Sequence, residues 1–409
     1  MNRLLFGDCR AALAHIGTHS VDAVVTDPPY ELGFMGKSWD STGIAYDVTL
    51  WREIFRVLKP GGHLVAFGAT RTYHRMACAI EDAGLDIRDS LHWMYGSGFP
   101  KSRDVSKDLD KQAGIWRGKA GAVMSDNTAM SGGNYERTPK GRAVTEAAAA
   151  WDGYGTALKP AHEPFVLARK PFAGTLAENV CLEGTGVINI NACRVPSDDG
   201  FEKAWDKPVR TNIGAKGGKF ITTGAQHEVD ITANRPVGGR WPTNLVLSHG
   251  PGCMPGACTE KCPVPVLNAQ EAGVEKFFPV LNWDPEYDGA FFYHSKVSKS
   301  EREAGCDGLE AQRGGSLNMR TDAHAQSNGE DTGPRKNHHP TVKPWRLMQW
   351  CIKLACPTGG TVLDPFMGSG STGIAATHAH TNFIGIEREP EYFNIATARI
   401  AHARSLYEY

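Results

Sequence analysis

Thr26-Asp27-Pro28-Pro29-Tyr30 brings a carboxylate, two prolines and a phenol together within five residues. It ends the apolar run Val21-Asp22-Ala23-Val24-Val25. Val24 and Val25 favour an extended, buried strand, and each proline sets its own φ while driving the preceding residue out of the helical region. The strand must stop here, with Asp27 and Tyr30 on a stiff turn at its carboxyl end. Asp-Pro pairs also begin ordinary turns, so this stretch needs a second feature before it becomes a site.

That feature lies far along the chain. Gly368, Gly370 and Gly373 have the G-x-G-x-x-G spacing, placed after the strand-like Thr361-Val362-Leu363-Asp364 and at the opening of a helix, and Glu387 stands 19 residues beyond Gly368 at the end of the next strand. Glycines admit close approach of a ligand to backbone, and a carboxylate so placed can accept hydrogen bonds from ribose hydroxyls. A nucleoside-containing cofactor is expected. A nicotinamide-dependent oxidoreductase fits the same glycines, but only about forty residues follow them, too few for the second mononucleotide half such enzymes place there. The missing half must come from the amino-terminal part, where the Asp-Pro-Pro-Tyr strand lies.

His249, Cys253, Cys258 and Cys262 form a third constellation, H-x3-C-x4-C-x3-C, bounded by Gly and Pro. Number and type suit a closed, structural zinc site, although the spacing differs from paired C-x2-C knuckles. Three reduced cysteines in a loop are the other reading.

The elements that must hold these residues alternate between strand and helix. Residues 3–100 read as a strand at Arg3 to Phe6, a helix from Cys9 to Ile16, the strand before Asp27, a helix from Asp47 to Leu58 stopped by Lys59-Pro60-Gly61-Gly62, a strand His63 to Phe67, a helix Thr72 to Asp82 and a strand Ile87 to Tyr95. From Lys101 to His338 the periodicity weakens. Strand-like islands remain at Glu163 to Ala168, Asn244 to Ser248 and Ala290 to Tyr293, with turn-rich stretches at 212–218 and 312–333. Order returns with a helix Pro344 to Ala355, the strand ending at Asp364, a helix to Ala379, a strand Asn382 to Ile386 and a helix Pro390 to Arg404. Such alternation predicts a largely parallel sheet covered on both faces.

The 409 residues, 41% hydrophobic and 22% charged, are those of an ordinary soluble protein with room for more than one domain. No apolar run is long enough to span a bilayer, and Met1 to Asp8 turns polar too soon for a signal peptide, so a cytoplasmic location is expected. Ten cysteines without a secretory signal point to reduced thiols. A net charge of -1 gives no overall attraction to nucleic acid, but residues 100–142 carry nine Lys or Arg against five Asp or Glu, and residues 201–240 seven against four.

Asp27-Pro28-Pro29-Tyr30, His339-Pro340-Thr341-Val342-Lys343-Pro344 and Asp364-Pro365-Phe366-Met367-Gly368-Ser369-Gly370, in this order, resemble the amino-group DNA methyltransferases of the β arrangement. There the catalytic motif precedes the cofactor motif and the target-recognition region lies between. Ala157 to Pro164 and Gly96 to Lys101 are similar to members associated with phages and prophages. The resemblance implies an α/β, Rossmann-like S-adenosylmethionine-dependent methyltransferase fold in permuted order: a catalytic half at 1–100, an irregular target-recognition insertion at 101–335 and a cofactor half at 336–409. It implies that the strands ending at Asp27 and Asp364 are neighbours. S-adenosylmethionine would be held by Asp364, Pro365, Phe366, Gly368, Ser369 and Gly370, with Glu387 on its ribose, Thr341 and Lys343 near its methionine part and Asp8 at the adenosine edge.

By the same resemblance, Asp27 and the carbonyl of Pro28 take the hydrogens of an exocyclic amine, Pro29 fixes that carbonyl, and Tyr30 stacks on a base flipped out of double-stranded DNA. Asp at the head of the motif implies adenine N6; cytosine N4 enzymes frequently carry Ser there, and remain the alternative. Arg117, Arg137, Arg142, Arg210, Arg235, Arg240, Arg313 and Arg320 are candidates for contact with DNA. Members of the family often pair into dimers, so a homodimer is admitted, though no self-complementary surface is legible. An oxidoreductase, a non-catalytic DNA-binding protein and an RNA substrate stay open from the residues alone.

Overall fold

The computed structural model describes residues 2–33, 40–95, 102–115, 117, 142–195, 209–211, 227–229, 239–248, 258, 262–270, 278, 280–281, 297, 299–312 and 334–407. In chain order the elements are β1 (Asn2–Phe6), α1 (Cys9–Leu13), β2 (Val21–Thr26), α2 (Val48–Val57), β3 (Leu58–Phe67), α3 (Tyr73–Asp82), β4 (Asp86–Met94), α4 (Val105–Gln112), α5 (Glu146–Ala150) and β5 (His162–Arg169). There follow α6 (Leu176–Glu183), β6 (Val209–Thr211), β7 (His227–Val229), β8 (Leu245–Ser248), α7 (Pro263–Gln270), β9 (Val280–Leu281), α8 (Lys299–Glu303), α9 (Trp345–Ala355), β10 (Thr361–Asp364), α10 (Ser371–His378), β11 (Asn382–Glu387) and α11 (Pro390–Ser405). The chain divides into two units, Met1–Ser97 with His162–Tyr409, and Gly98–Ala161.

The larger unit is built on a nine-stranded sheet in the order β1-β11-β10-β2-β3-β5-β4-β8-β9. Its described pairs are parallel except the two that β5 makes, with β3 and with β4. The largely parallel sheet expected from the alternation is therefore present, with one reversed strand drawn from the middle of the chain. β2 is buried along its whole length, and its period of two divides it between faces. Ala23 and Val25 pack with Val65, Phe67 and the α9 residues Leu347, Met348, Cys351 and Ile352. Val24 packs with Leu64, Ala66 and the α2 residues Leu50, Trp51 and Ile54 on the other side. The buried residues of α2 and α9 recur at three-and-four spacing, which gives each helix one face to lay on the sheet.

Some boundaries differ from the sequence reading. α1 ends at Leu13. β3 begins at Leu58, because Lys59-Pro60-Gly61-Gly62 continues extended and Leu58 pairs with Val21 across an irregularity in register. Gly61 has φ 80°, a conformation that favours glycine. The islands at 163–168 and 244–248 are β5 and β8, whereas Ala290 to Tyr293 and residues 212–218 lie outside the described residues.

The smaller unit holds α4 and α5, capped by Asp104 and Thr145. Between them Asp110 accepts from the Val144 and Thr145 amides, each at 3.0 Å, and from the Thr145 hydroxyl, and it pairs with Arg117. Burial pushes its carboxyl up, but these bonds hold it well below the usual range. Arg117 also donates to the Ser106 carbonyl and hydroxyl, so its guanidinium serves this fold and is not presented to a ligand.

Two polar ties bind β10 into the larger unit. Asp22 in β2 accepts from the Thr361 amide at 2.7 Å and pairs with Lys59. Asp364 accepts from Thr26 of β2 at 2.7 Å, from Thr372 of α10 at 2.6 Å and from the Phe366 amide at 3.1 Å. Burial outweighs these bonds and pushes the Asp364 carboxyl from 3.8 up to about 6. The folded state thus binds this proton more tightly than the unfolded chain does, a contribution fully present below the ordinary Asp value and lost as pH rises through about 6. In urea unfolding between pH 4 and 7, wild type relative to Asp364→Asn is expected to lose stability on the order of 3 kcal/mol as pH rises; a constant difference would contradict it. Independently, a Cβ on Gly373 would lie 2.8 Å from the Phe383 ring and crowd Ile400. Gly373→Ala should therefore cost about 1–3 kcal/mol by overpacking, read as a lower Tm.

Candidate active site

β2 and β10 lie side by side in parallel, Val362 opposite Ala23 and Leu363 opposite Val24. Both leave the sheet at the same edge, β10 leading on to β11 on one side and β2 to β3 on the other. A crevice at such a divergence is where open α/β sheets bind ligands. Residues over three hundred positions apart in sequence meet there.

At the end of β2 the turn is held by Thr72, whose hydroxyl donates to the Tyr30 carbonyl at 2.9 Å. Asp27 Oδ2 accepts from Lys343 Nζ at 2.6 Å, with side-chain exposures of 16% and 9%. Lys343 Nζ also donates to the Tyr30 hydroxyl at 3.0 Å and lies 3.3 Å from Glu163 Oε2. The Tyr30 hydroxyl in turn donates to Glu163 Oε2 at 2.9 Å. The second oxygen of Asp27, Oδ1, is buried and has no hydrogen-bond partner among the described residues. Burial pushes the Asp27 carboxyl up while Lys343 pulls it back. Burial alone would lower Lys343, but Asp27 and Glu163 raise it above its ordinary value.

Glu163 carries no motif and is absent from the sequence-derived site. It arrives because β5 is antiparallel. With Phe165 opposite Phe67, the start of β5 reaches the edge at which the parallel strands end. A carboxylate at the amino end of a strand-like island is visible in Lys159-Pro160-Ala161-His162-Glu163-Pro164, but strand direction is not.

The glycine turn follows β10. Gly368 and Gly370 adopt φ 54° and 84°, the left-handed region that favours glycine. A Cβ on Gly368 would lie 2.9 Å from His339 Nε2, and one on Gly370 3.0 Å from Ala396 Cα, so the turn is gripped between the His339 segment and α11. Arg399, fully buried in α11, donates to the Ser369 carbonyl at 2.7 Å and to the Glu301 carbonyl at 3.1 Å. Arg302 donates to the His339 carbonyl at 2.6 Å, and Glu301 accepts from the Trp345 amide at 2.9 Å. α8 therefore straps the segment bearing Thr341 and Lys343 to the glycine turn. Burial, with Arg302, Arg399 and Lys343 nearby, pushes His339 down to about 3 and keeps it neutral. None of this clamp is legible from periodicity, which places Arg399 on an ordinary helix.

Glu387 accepts from the Gly368 amide and from the Glu389 amide, each at 2.8 Å, one on each oxygen. Burial outweighs these bonds and pushes its carboxyl up to about 7. Each oxygen keeps a second lone pair for a ligand hydroxyl. Phe6 pairs with Glu387 across β1 and β11, which brings Asp8 to the same edge, where it caps α1 through the Arg10 amide at 2.9 Å. Pro365 is buried and Phe366 half-buried beside the turn. A glycine cradle, a carboxylate with spare acceptors and the unpartnered Asp27 oxygen across the crevice fit a nucleoside cofactor carrying a reactive group toward Asp27. A cavity of about 480 Å³ lined by Ile188, Trp241 and Thr358 lies elsewhere, at the amino ends of the strands.

Of the four expected zinc ligands, His249 and Cys253 lie outside the described residues, Cys258 is exposed and Cys262 buried. Among the described residues no cluster of three or more His, Cys, Asp or Glu is placed to hold a metal ion, and the expectation of zinc finds no support there. Arg137, Arg235, Arg313 and Arg320 also lie outside the described residues. Among those residues no helix is long and apolar enough to cross a membrane.

Known proteins resemble parts of this chain. The type II methyltransferase M2.DpnII of Streptococcus pneumoniae is 45% identical over 62 residues, 15% of this chain and 23% of that protein. M.BglI of Bacillus subtilis, also a type II methyltransferase, is 48% identical over 67 residues, 16% of this chain and 19% of that one. The chain thus matches about a fifth of the length of these curated relatives. The solved PvuII DNA methyltransferase, cytosine-N4-specific, superposes with a TM-score of 0.43 at 12% identity, over 97% of this chain and 85% of that one. The N6/N4 DNA methylase family model matches residues 21–398, from β2 and Asp27 through the glycine turn into α11, and the chain belongs to that family.

Proposed function

We propose that this protein transfers a methyl group from S-adenosylmethionine to the N6 amino group of an adenine flipped out of double-stranded DNA. The observation that carries the reading is the buried Asp27 Oδ1, without a partner among the described residues, at a strand end adjacent to a glycine turn. Membership of the family supports the class of reaction.

S-adenosylmethionine, when bound, supplies an electrophilic methyl on a sulfonium. Gly368, Ser369 and Gly370 would cradle it, Pro365 and Phe366 flank its adenine, Glu387 accept from its ribose, Asp8 serve the adenosine edge, and Thr341 and Lys343 lie toward its methionine part. An aromatic amine is a poor nucleophile because its lone pair is delocalised into the ring. Asp27 Oδ1 and the Pro28 carbonyl accept its two hydrogens, which localises that lone pair and positions it for attack. Pro29 holds the carbonyl still. Tyr30, tied at its hydroxyl to Glu163 and Lys343, offers a fixed ring against which the extruded base stacks. Burial raises Asp27 toward the range in which a carboxylate can take the proton the amine gives up.

In this reading residues 1–100 and 336–409 are the catalytic and cofactor halves, and 101–335 holds the DNA while lending β5 to the sheet. A cytoplasmic location is part of the same reading. Asp27, where cytosine N4 enzymes frequently carry Ser, favours adenine. Mass spectrometry of nucleosides from DNA of cells expressing the protein is expected to find N6-methyladenine; N4-methylcytosine without it would reverse the choice of base. Asp27→Ala should lower methylation by at least about a thousandfold while cofactor affinity stays within about threefold, and undiminished methylation would sink the mechanism. Because burial pushes the Glu387 carboxyl up to about 7 and protonation turns one of its two accepting oxygens into a donor, cofactor affinity measured by calorimetry should decline as pH falls below that value.

A further inference from the structure

We propose that Glu163 is a positioning residue of this site, sharing the Lys343 ammonium with Asp27 so that one Asp27 oxygen stays unclaimed for the acceptor amine. Lys343 has three N–H donors, and they face Asp27 Oδ2 at 2.6 Å, the Tyr30 hydroxyl at 3.0 Å and Glu163 Oε2 at 3.3 Å. None is left for Asp27 Oδ1, which is buried without a partner among the described residues. Were Glu163 removed, the ammonium would be free to settle across both Asp27 oxygens, the position the incoming amine needs. Glu163 also accepts a hydrogen bond from the Tyr30 hydroxyl, so the same carboxylate fixes the stacking ring.

The charged and titratable groups around Asp27 come from every element packed on it. Lys343 comes from the segment before α9, Tyr30 from its own turn, Glu163 from β5 and Asp364 from β10, while Tyr95, after β4, faces Glu163. Glu163 repels a charge on Asp27 and Lys343 attracts it, so removing each must act in opposite directions. The effect on rate rests on the methyl-transfer reading. The effect on Asp27 ionisation does not.

The test uses the full chain with 13C-labelled aspartate carboxyls, titrated without cofactor, together with the pH profile of DNA methylation. Glu163→Gln is expected to lower the Asp27 midpoint by about one pH unit, and Lys343→Met to raise it by at least as much. The acid limb of the rate profile should move in the same two directions, with kcat for Glu163→Gln down about tenfold and the KM for S-adenosylmethionine unchanged. A folded Glu163→Gln whose midpoint and acid limb stay in place overturns the proposal, even if it is less stable. Should Glu163→Gln fail to fold, Glu163→Asp withdraws the charge by one methylene, and the Asp27 midpoint is expected to drop by a smaller amount; an unmoved midpoint there overturns it equally. If wild type methylates no DNA, the proposed activity fails while the titration still decides the role of Glu163.

Discussion

One ammonium held between two carboxylates organises the functional edge of this protein. Lys343, Asp27 and Glu163 come from three remote parts of the chain, and each is a charge withdrawn largely from water. Burying any one of them alone would be strongly unfavourable, and breaking such a pair exposes that full penalty. The amino-terminal strand, the strand from the middle of the chain and the segment before α9 are therefore bound to one another by electrostatics as well as by their apolar faces. The arrangement is not optimised for stability, since two carboxylates share one cation. Its surplus negative charge suits a site proposed to receive a sulfonium.

Behind this triad the supporting groups bind backbone and hydroxyl partners. Asp364 spends its acceptors on Thr26, Thr372 and the Phe366 amide, joining β10, β2 and α10 at the floor of the crevice. Arg399, buried, and Arg302, half-buried, donate to carbonyl oxygens of the glycine turn, α8 and the His339 segment, and so stiffen backbone around the crevice. His339 stays uncharged beside them. The flexible glycines are thereby held by their surroundings, and the turn can be both open to a ligand and fixed in shape.

Much of the fold was legible because apolar spacing carries it. α2, α9 and α11 stand nearly where the sequence places them, and β2, β10 and β11 where short apolar runs end at Asp27, Asp364 and Glu387. The meeting of Asp27 with the glycine turn followed from the permuted order of motifs. The helix and strand limits around Lys59 to Gly62 were missed because Pro and Gly stop helices without saying that the chain continues extended. Glu163 was out of reach for a different reason: its place depends on which way β5 runs, and direction is a property of the assembled sheet. The contact of Lys343 with Asp27 joins distant segments, and no local pattern encodes it.

The sheet order also bears on how the protein can be made. β2 is formed early in synthesis, yet its neighbour β10 is more than three hundred residues away, and β1 waits for β11, which comes later still. Until β10 at residues 361–364 has emerged from the ribosome, one edge of β2, buried along its whole length in the folded protein, has no strand to cover it. Pairings of such long range are slow to close and leave sticky intermediates. A growing chain of this kind has reason to need a chaperone, and a chain cut short of β10 leaves β2 without its neighbour.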